Sequence, residues 1–150
     1  MDQASGGPVL DHLRRLMRGE AEPAPIVKLL GMKVTAAEPG RVTLEMEAGP
    51  HLANPMGTLH GGVFCDLADA AMGMSLASLL AAGETFTTLE LKINFLKPVW
   101  RSRLRAEGAL LRPGRTVSLA ECRIYDDKGA LVAHATSTCL TLRGDAAKGR

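Results

Sequence analysis

From residue 63 to residue 82 the chain reads VFCDLADAAMGMSLASLLAA, twenty residues whose only charges are Asp66 and Asp69. Such a length is that of a membrane span, but the energies oppose insertion. Six strongly apolar side chains contribute about −3 kcal/mol on an insertion scale, while two mid-segment aspartates cost about +5 to +7 kcal/mol. A helix that is apolar nearly all round belongs inside a protein, so the rest of the chain has to wrap it. With 150 residues, 46% hydrophobic and 23% charged, the composition is that of one soluble globular domain. A chain of this size buries roughly two-thirds of its unfolded surface, enough for a core without staples.

The wrapping material follows from period-two alternation. Val42, Leu44 and Met46 alternate with polar neighbours after Pro39-Gly40, which predicts a hairpin. Leu89, Leu91, Ile93 and Phe95 alternate with Thr88, Glu90, Lys92 and Asn94, a half-buried strand ending before Pro98. Three further strands are predicted near 103–111, 116–125 and 130–142, joined by a type II turn at Arg112-Pro113-Gly114-Arg115 and by Asp126-Asp127-Lys128-Gly129. A change of phase near Ala120 suggests a bulge there. Ahead of the hairpin, residues 8–18 have helical spacing, and EAEPAP (20–25) is a linker. The expectation is an α+β domain, an antiparallel sheet of five or six strands around one long helix. Because one sheet cannot enclose an all-round apolar helix, a second copy of the chain should cover part of it.

Other classes are disfavoured. Eighteen basic against sixteen acidic residues and a net charge of +2 create no field for nucleic acid, and only five residues are aromatic. Cys65, Cys122 and Cys139 are odd in number, widely spaced and set in apolar runs, which implies neither disulfides nor zinc and suits a reducing cytoplasm. The N-terminus lacks the basic-then-apolar order of a secretory signal.

Chemistry is concentrated in the loop Asn54-Pro55-Met56-Gly57-Thr58-Leu59-His60-Gly61-Gly62 and at Asp69. Gly61 and Gly62 stand at the predicted helix N-terminus, where unpaired N–H groups suit an oxyanion; a tight turn is the structural alternative. Asp69 has Cys65, Met72, Gly73 and Leu76 as helical neighbours, so desolvation should raise its basicity and suit it to act as base or nucleophile. A carboxylate satisfied by a buried hydrogen bond is the other reading. Asp66 lies nearer the helix start and is taken as structural. His60 can donate to a bound carbonyl or hold the loop, and Cys65 reads as a nucleophile or as a small hydrophobe. Lys97, Arg101, Arg103 and Arg105, with Arg112 and Arg115, either bind phosphates or form a solvated strand face. His12, His51 and His134 have no metal-like spacing. Gly61 and Asp69 are eight residues apart, ~12 Å along one helix, so the two cannot serve one carbonyl unless they come from different chains.

These residues resemble the hotdog-fold acyl-CoA thioesterases of the phenylacetate-degradation type within the 4-hydroxybenzoyl-CoA thioesterase superfamily. The loop pattern Asn-x-x-Gly-x-x-His-Gly-Gly, with an Asp in the next helix, stands here as NPMGTLHGGVFCDLAD. The likeness extends through PAPIVKLLG, TLELKINFLKPV, PGRT and DDKGALVAHATST. It implies a hotdog domain over 23–143, an N-terminal extension with a short helix over 1–22 and a flexible tail over 144–150. It further implies homodimers, often paired into homotetramers, with active sites at the dimer interface, no membrane insertion, and hydrolysis of an acyl-CoA without metal or organic cofactor. By position, Asp69 corresponds to the catalytic carboxylate, Gly61 to the oxyanion donor, Asn54 to the loop amide, and His60 to an assisting donor. Thr88 corresponds to the hydroxyl accompanying the carboxylate, and Gly62 and Arg115 to contacts with CoA. Two other functions fit the same fold: a non-catalytic acyl-CoA-binding module, and a hydratase or dehydratase of 3-hydroxyacyl thioesters.

Overall fold

The structure, a computed structural model, describes residues 6–150. What the N-terminal reading draws from residues 1–5 lies outside them. In chain order the elements are α1 (Pro8–Met17), α2 (Pro25–Leu29), β1 (Lys33–Glu38), β2 (Arg41–Ala48), α3 (Gly61–Ala77), β3 (Thr85–Phe95), β4 (Ser102–Arg112), β5 (Val117–Tyr125) and β6 (Leu131–Leu142). Short 3-10 turns occur at Pro50–Leu52 and Gly144–Ala147. All six strands form one antiparallel sheet in the order β1-β2-β4-β5-β6-β3, which leaves β1 and β3 as edges.

The sheet curves around α3, which touches every strand from β2 to β3, and α1 lies against β1. Phe64, Leu67, Ala68, Ala71, Met72 and Leu76 of α3 are buried. The facing sheet positions are small: Ala106, Ala120, Cys122, Ala133 and Ala135 are all at most 1% exposed. Small side chains let backbone meet helix closely, most of all at Gly108, where a Cβ would stand 2.4 Å from the Ala71 carbonyl oxygen. Leu10 and Leu13 of α1 are buried in the same core, so the N-terminal helix packs with the domain. Gly7 N–H extends the seam by donating to the Ser78 carbonyl at 3.0 Å.

The apolar segment is not helical throughout: α3 begins two residues before Val63 and ends at Ala77. Ser78, fully buried, donates to the Ser75 carbonyl at 2.7 Å and accepts the Gly40 N–H at 2.8 Å. Gly40 stands at the β1–β2 turn with φ +74°, a conformation glycine adopts without strain. Ser78→Ala removes the acceptor of a buried N–H and is expected to lower stability by about 1–3 kcal/mol, checked by urea denaturation. An unchanged midpoint would show that water replaces the hydroxyl.

Three local expectations are corrected. No phase change occurs at Ala120: Ser118, Ala120, Cys122 and Ile124 are buried, and Val117 and Leu119 point outward at 40% and 41% exposure. Ser118 can be buried because its hydroxyl accepts the Gly114 N–H at 3.1 Å, so polarity misassigned the faces. The shifts in register lie instead between Leu110 and Arg112 and between Ile124 and Tyr125. The 112–115 turn is not type II, since Gly114 lacks the positive φ that type requires. Glycine is demanded there by proximity, a Cβ falling 1.9 Å from the Val117 oxygen. Finally, β3 does not alternate without interruption, because its register against β6 shifts between Thr88 and Glu90.

Candidate active site

The loop before α3 is built by Asn54. Its Oδ1 accepts the N–H groups of Met56 at 3.0 Å and Thr58 at 3.2 Å, and its Nδ2 donates to Thr58 Oγ1 at 2.8 Å. Two backbone bonds, Asn54 N–H to the Thr58 oxygen at 2.8 Å and Gly57 N–H to the Asn54 oxygen at 2.9 Å, close the turn. One amide hydrogen of Asn54 has no partner within this network. His60 is the N-cap of α3, its Nδ1 accepting the Gly62 N–H at 2.9 Å. That bond places the ring proton on Nε2, which is left as a donor. It also uses up Gly62, so of the two expected glycine donors only Gly61 has an N–H with no acceptor among the described residues.

Gly61 opens onto a cleft of about 350 Å³ lined by Asn54, Thr58, Phe64, Phe95, Leu96 and Lys97, among others. Phe64 and Phe95 form a tilted pair with ring centroids 5.9 Å apart. A Cβ at position 61 would stand 3.1 Å from the Phe95 ring, so glycine keeps the amide within reach of a ligand beside that ring. Sequence reading treated Phe95 as the last apolar residue of a strand; only the fold puts it against Gly61.

Asp69 lies two turns further along α3, where its Oδ1 accepts the Thr88 hydroxyl at 2.9 Å. The carboxylate is half-buried in the single chain rather than enclosed. It faces β3, an edge strand of the sheet, and no strand among the described residues pairs with its outer side. The contact with Thr88 depends on the β3 bulge. Strict alternation would put Thr88 on the face opposite Leu91, but Leu89 is left without a cross-strand partner and is 57% exposed. The bulge reverses the phase and turns Thr88 toward the helix. Its signal in the sequence is the apolar Leu89, which by alternation alone belongs inside.

Two groups of residues therefore assemble separately. Asn54, His60, Gly61 and Gly62 are together at the N-terminus of α3, and Asp69 and Thr88 are together farther along the helix. Arg115 lies at neither end of the first cleft: through Val117, Leu140 and Thr87, which are level across β5, β6 and β3, it belongs to the Thr88 end of the sheet. Cys65 falls on the helix face between Gly61 and Asp69. Burial, reinforced by the Asp66 and Asp69 carboxylates, pushes its thiol up, which disfavours the thiolate a nucleophile needs. Cys122 is pushed up to about 12, first by burial and then by Glu107 and Glu121. Among the described residues no three His, Cys, Asp or Glu side chains converge as a metal site, and no helix is long and apolar enough to cross a membrane.

The comparisons with known proteins agree with this architecture. Residues 56–133 match the family profile described as the thioesterase superfamily. A Saccharolobus solfataricus protein, SSO2140, whose esterase designation is provisional, is 35% identical over 118 residues, 79% of this chain and 84% of its own. The medium/long-chain acyl-CoA thioesterase YigI of Escherichia coli is 27% identical over 129 residues, 76% of this chain and 83% of its own. Among solved structures, a phenylacetic acid degradation-related protein from Ralstonia eutropha is 32% identical with a TM-score of 0.78, over 85% of this chain and 98% of its own. The six-stranded antiparallel sheet around α3 is the hotdog arrangement expected from the sequence. With that fold, that profile and those relatives, the chain belongs to the thioesterase superfamily and is a thioester hydrolase.

Proposed function

We propose that the protein hydrolyses acyl-CoA in a site shared by two copies of the chain, with Asp69 of one subunit and the Gly61 amide of the other acting on one thioester. The acyl-CoA substrate is supported by the likeness to YigI, named for that activity. The shared site rests on one observation: both half-sites border the same unpaired edge strand. Thr88 marks the position of Asp69 along β3 and Phe95 marks that of Gly61. With Leu89 bulged out of the register, antiparallel pairing of β3 with its symmetry mate centred on Lys92 sets each Thr88 opposite the partner's Phe95. Each carboxylate then approaches the other copy's free amide, and the open edge is paired.

In this arrangement the Gly61 N–H receives the thioester oxygen as it gains negative charge, next to the positive end of the α3 dipole. The Asn54 amide hydrogen left over from the loop holds water or substrate, and His60 Nε2–H is a second donor at the same end. Asp69, held by Thr88, takes one of two roles. As base it accepts a proton from water while the water oxygen attacks the carbonyl carbon, the C–S bond breaks, and the CoA thiolate is released and protonated. As nucleophile it attacks the carbon itself, expelling the thiolate, and water then cleaves the resulting anhydride. A single turnover in heavy-oxygen water separates them, since label confined to the free acid means direct attack and label in the protein means an anhydride.

Thiol release across a panel of acyl-CoA esters tests the activity, and absence of release from every member would overturn it. Subunit mixing tests the shared site: inactive Asp69→Ala and inactive Asn54→Ala proteins are expected to regain activity when exchanged, because each heterodimer holds one intact site. No recovery after confirmed exchange would place both groups in one chain.

A further inference from the structure

The basic run from Lys97 to Arg105 divides once its partners are seen. Arg103 lies 3.9 Å from Glu45 and 3.7 Å from Glu47, and Arg105 pairs with Glu107 at 2.8 Å while lying over the Tyr125 ring. Those two are strand-face charges. Arg101 makes no ion pair among the described residues, and neither does Lys128 from the β5–β6 turn. Both line a second cleft of about 230 Å³, with Trp100, Asp126 and Asp127. Lys97 and Pro98 line both this cleft and the one holding Gly61, so the two adjoin along that stretch of wall, which we take as one groove.

The wall of the groove is tied down on each side. Leu59 N–H donates to the Val99 oxygen at 2.7 Å, which fastens the 96–101 segment beside the loop that carries Gly61. Leu96 and Lys97 N–H groups donate to the Val132 oxygen at 2.9 and 3.2 Å, and Asp127 N–H donates to Ser102 Oγ at 3.0 Å. Asp126 is no free counter-charge. It pairs with Lys97 at 2.7 Å and accepts the N–H groups of Lys128 and Ala130, and these bonds, that of Lys97 first, hold its carboxyl below the usual range. Asp127 is the remaining acid. Trp100, the only tryptophan, is 58% exposed on this pinned segment, an unusual display for so large an apolar ring.

We propose that the second cleft receives the nucleotide end of acyl-CoA, the 3′-phosphoadenosine diphosphate, with Arg101 and Lys128 on its phosphates and Trp100 stacking on its adenine. The pantetheine arm follows the groove over Lys97 and Pro98 to the Gly61 amide. This rests on the acyl-CoA reading above and assigns the nucleotide to the Gly61 end of the chain rather than to Arg115 of the same chain. Trp100 supplies the base-neutral stacking face and the two unpaired cations supply charge, the combination that a phosphorylated nucleoside recognises.

The test compares two substrates with one acyl group, acyl-CoA and the acyl-pantetheine thioester that lacks the nucleotide. Trp100→Ala is expected to raise KM for acyl-CoA by about 5- to 150-fold, the range that base stacking supplies, and Arg101→Glu with Lys128→Glu to raise it separately through lost phosphate attraction, both with kcat unchanged. Neither variant should alter kcat/KM for acyl-pantetheine, and Asp127→Asn should lower KM for acyl-CoA. Equal losses on both substrates, no loss on acyl-CoA, or a selective loss in Arg115→Glu alone would overturn the assignment. Calorimetric titration of the unmodified protein and the same variants with CoA itself keeps this separate from catalysis. Weaker CoA binding in the variants supports the cleft even if no thiol is ever released, and unchanged binding overturns it.

Discussion

Replacing Asp69 with asparagine is expected to lower kcat for thioester hydrolysis by about 10²- to 10⁴-fold, the range a positioned proton-transfer group supplies. The substitution keeps the shape of the side chain and an oxygen that can accept the Thr88 hydroxyl, now 2.9 Å from Oδ1, so the helix-to-β3 contact survives. What is lost is the capacity to take a proton from water or to attack carbon. Thiol release by parent and variant, with thermal unfolding measured alongside, separates chemistry from stability. A variant as active as the parent removes Asp69 from the mechanism; a variant equally inactive but unfolded would instead mark the carboxylate as structural. Thr88→Val provides the graded companion: it removes the hydrogen bond but not the carboxylate, and a smaller fall in kcat than in Asp69→Asn is the expected order.

A large loss of stability should come from a side chain at position 108, beginning with Gly108→Ala. A Cβ there would stand 2.4 Å from the Ala71 oxygen and 2.9 Å from Ser75 Oγ. The nearer atom is helix backbone, so no rotamer change relieves the contact, and β4 must move away from α3. Overpacking of this kind costs about 1–3 kcal/mol. At this chain length each kcal/mol shifts Tm by roughly 2–4 °C, so a fall of about 2–12 °C is expected in a thermal melt. Gly108→Val should fall further, since its branched Cβ adds atoms against the same carbonyl. A Tm equal to the parent's would mean that the sheet and the central helix are not in contact at this point.

Local patterning made much of the architecture legible. The alternation of Val42, Leu44 and Met46 predicts β2, and the unbroken apolar segment with two aspartates predicts a helix that needs a wrapper. Pro39-Gly40 and the Asp126–Gly129 sequence mark their turns because glycine at φ +74° and +81° carries no Cβ penalty. Where side chains bond across distance, the local code misleads. Ser118 is polar and buried because Gly114 supplies its donor, and Ser78 is buried with Gly40 as the donor to its hydroxyl. Hydrophobicity along the chain carries no record of such partners.

The candidate site divides along the same line. Asn54, His60, Gly61 and Gly62 could be singled out within nine consecutive residues, because turn and cap chemistry is local. Asp69 could be singled out by charge in an apolar helix. That the Gly61 amide is free while the Gly62 amide is not depends on the ring orientation of His60. That Thr88 meets Asp69 depends on one residue, Leu89, being squeezed out of register between β3 and β6. The sequence by itself determined which segments become strands and helix, and which loop and acid stand out, since those follow from spacing and side-chain chemistry. Only the tertiary structure decided which donors stay unpaired, which face Thr88 takes, and that both groups of residues border one edge strand, β3. Those outcomes are set by hydrogen-bond partners and packing between residues far apart in the chain.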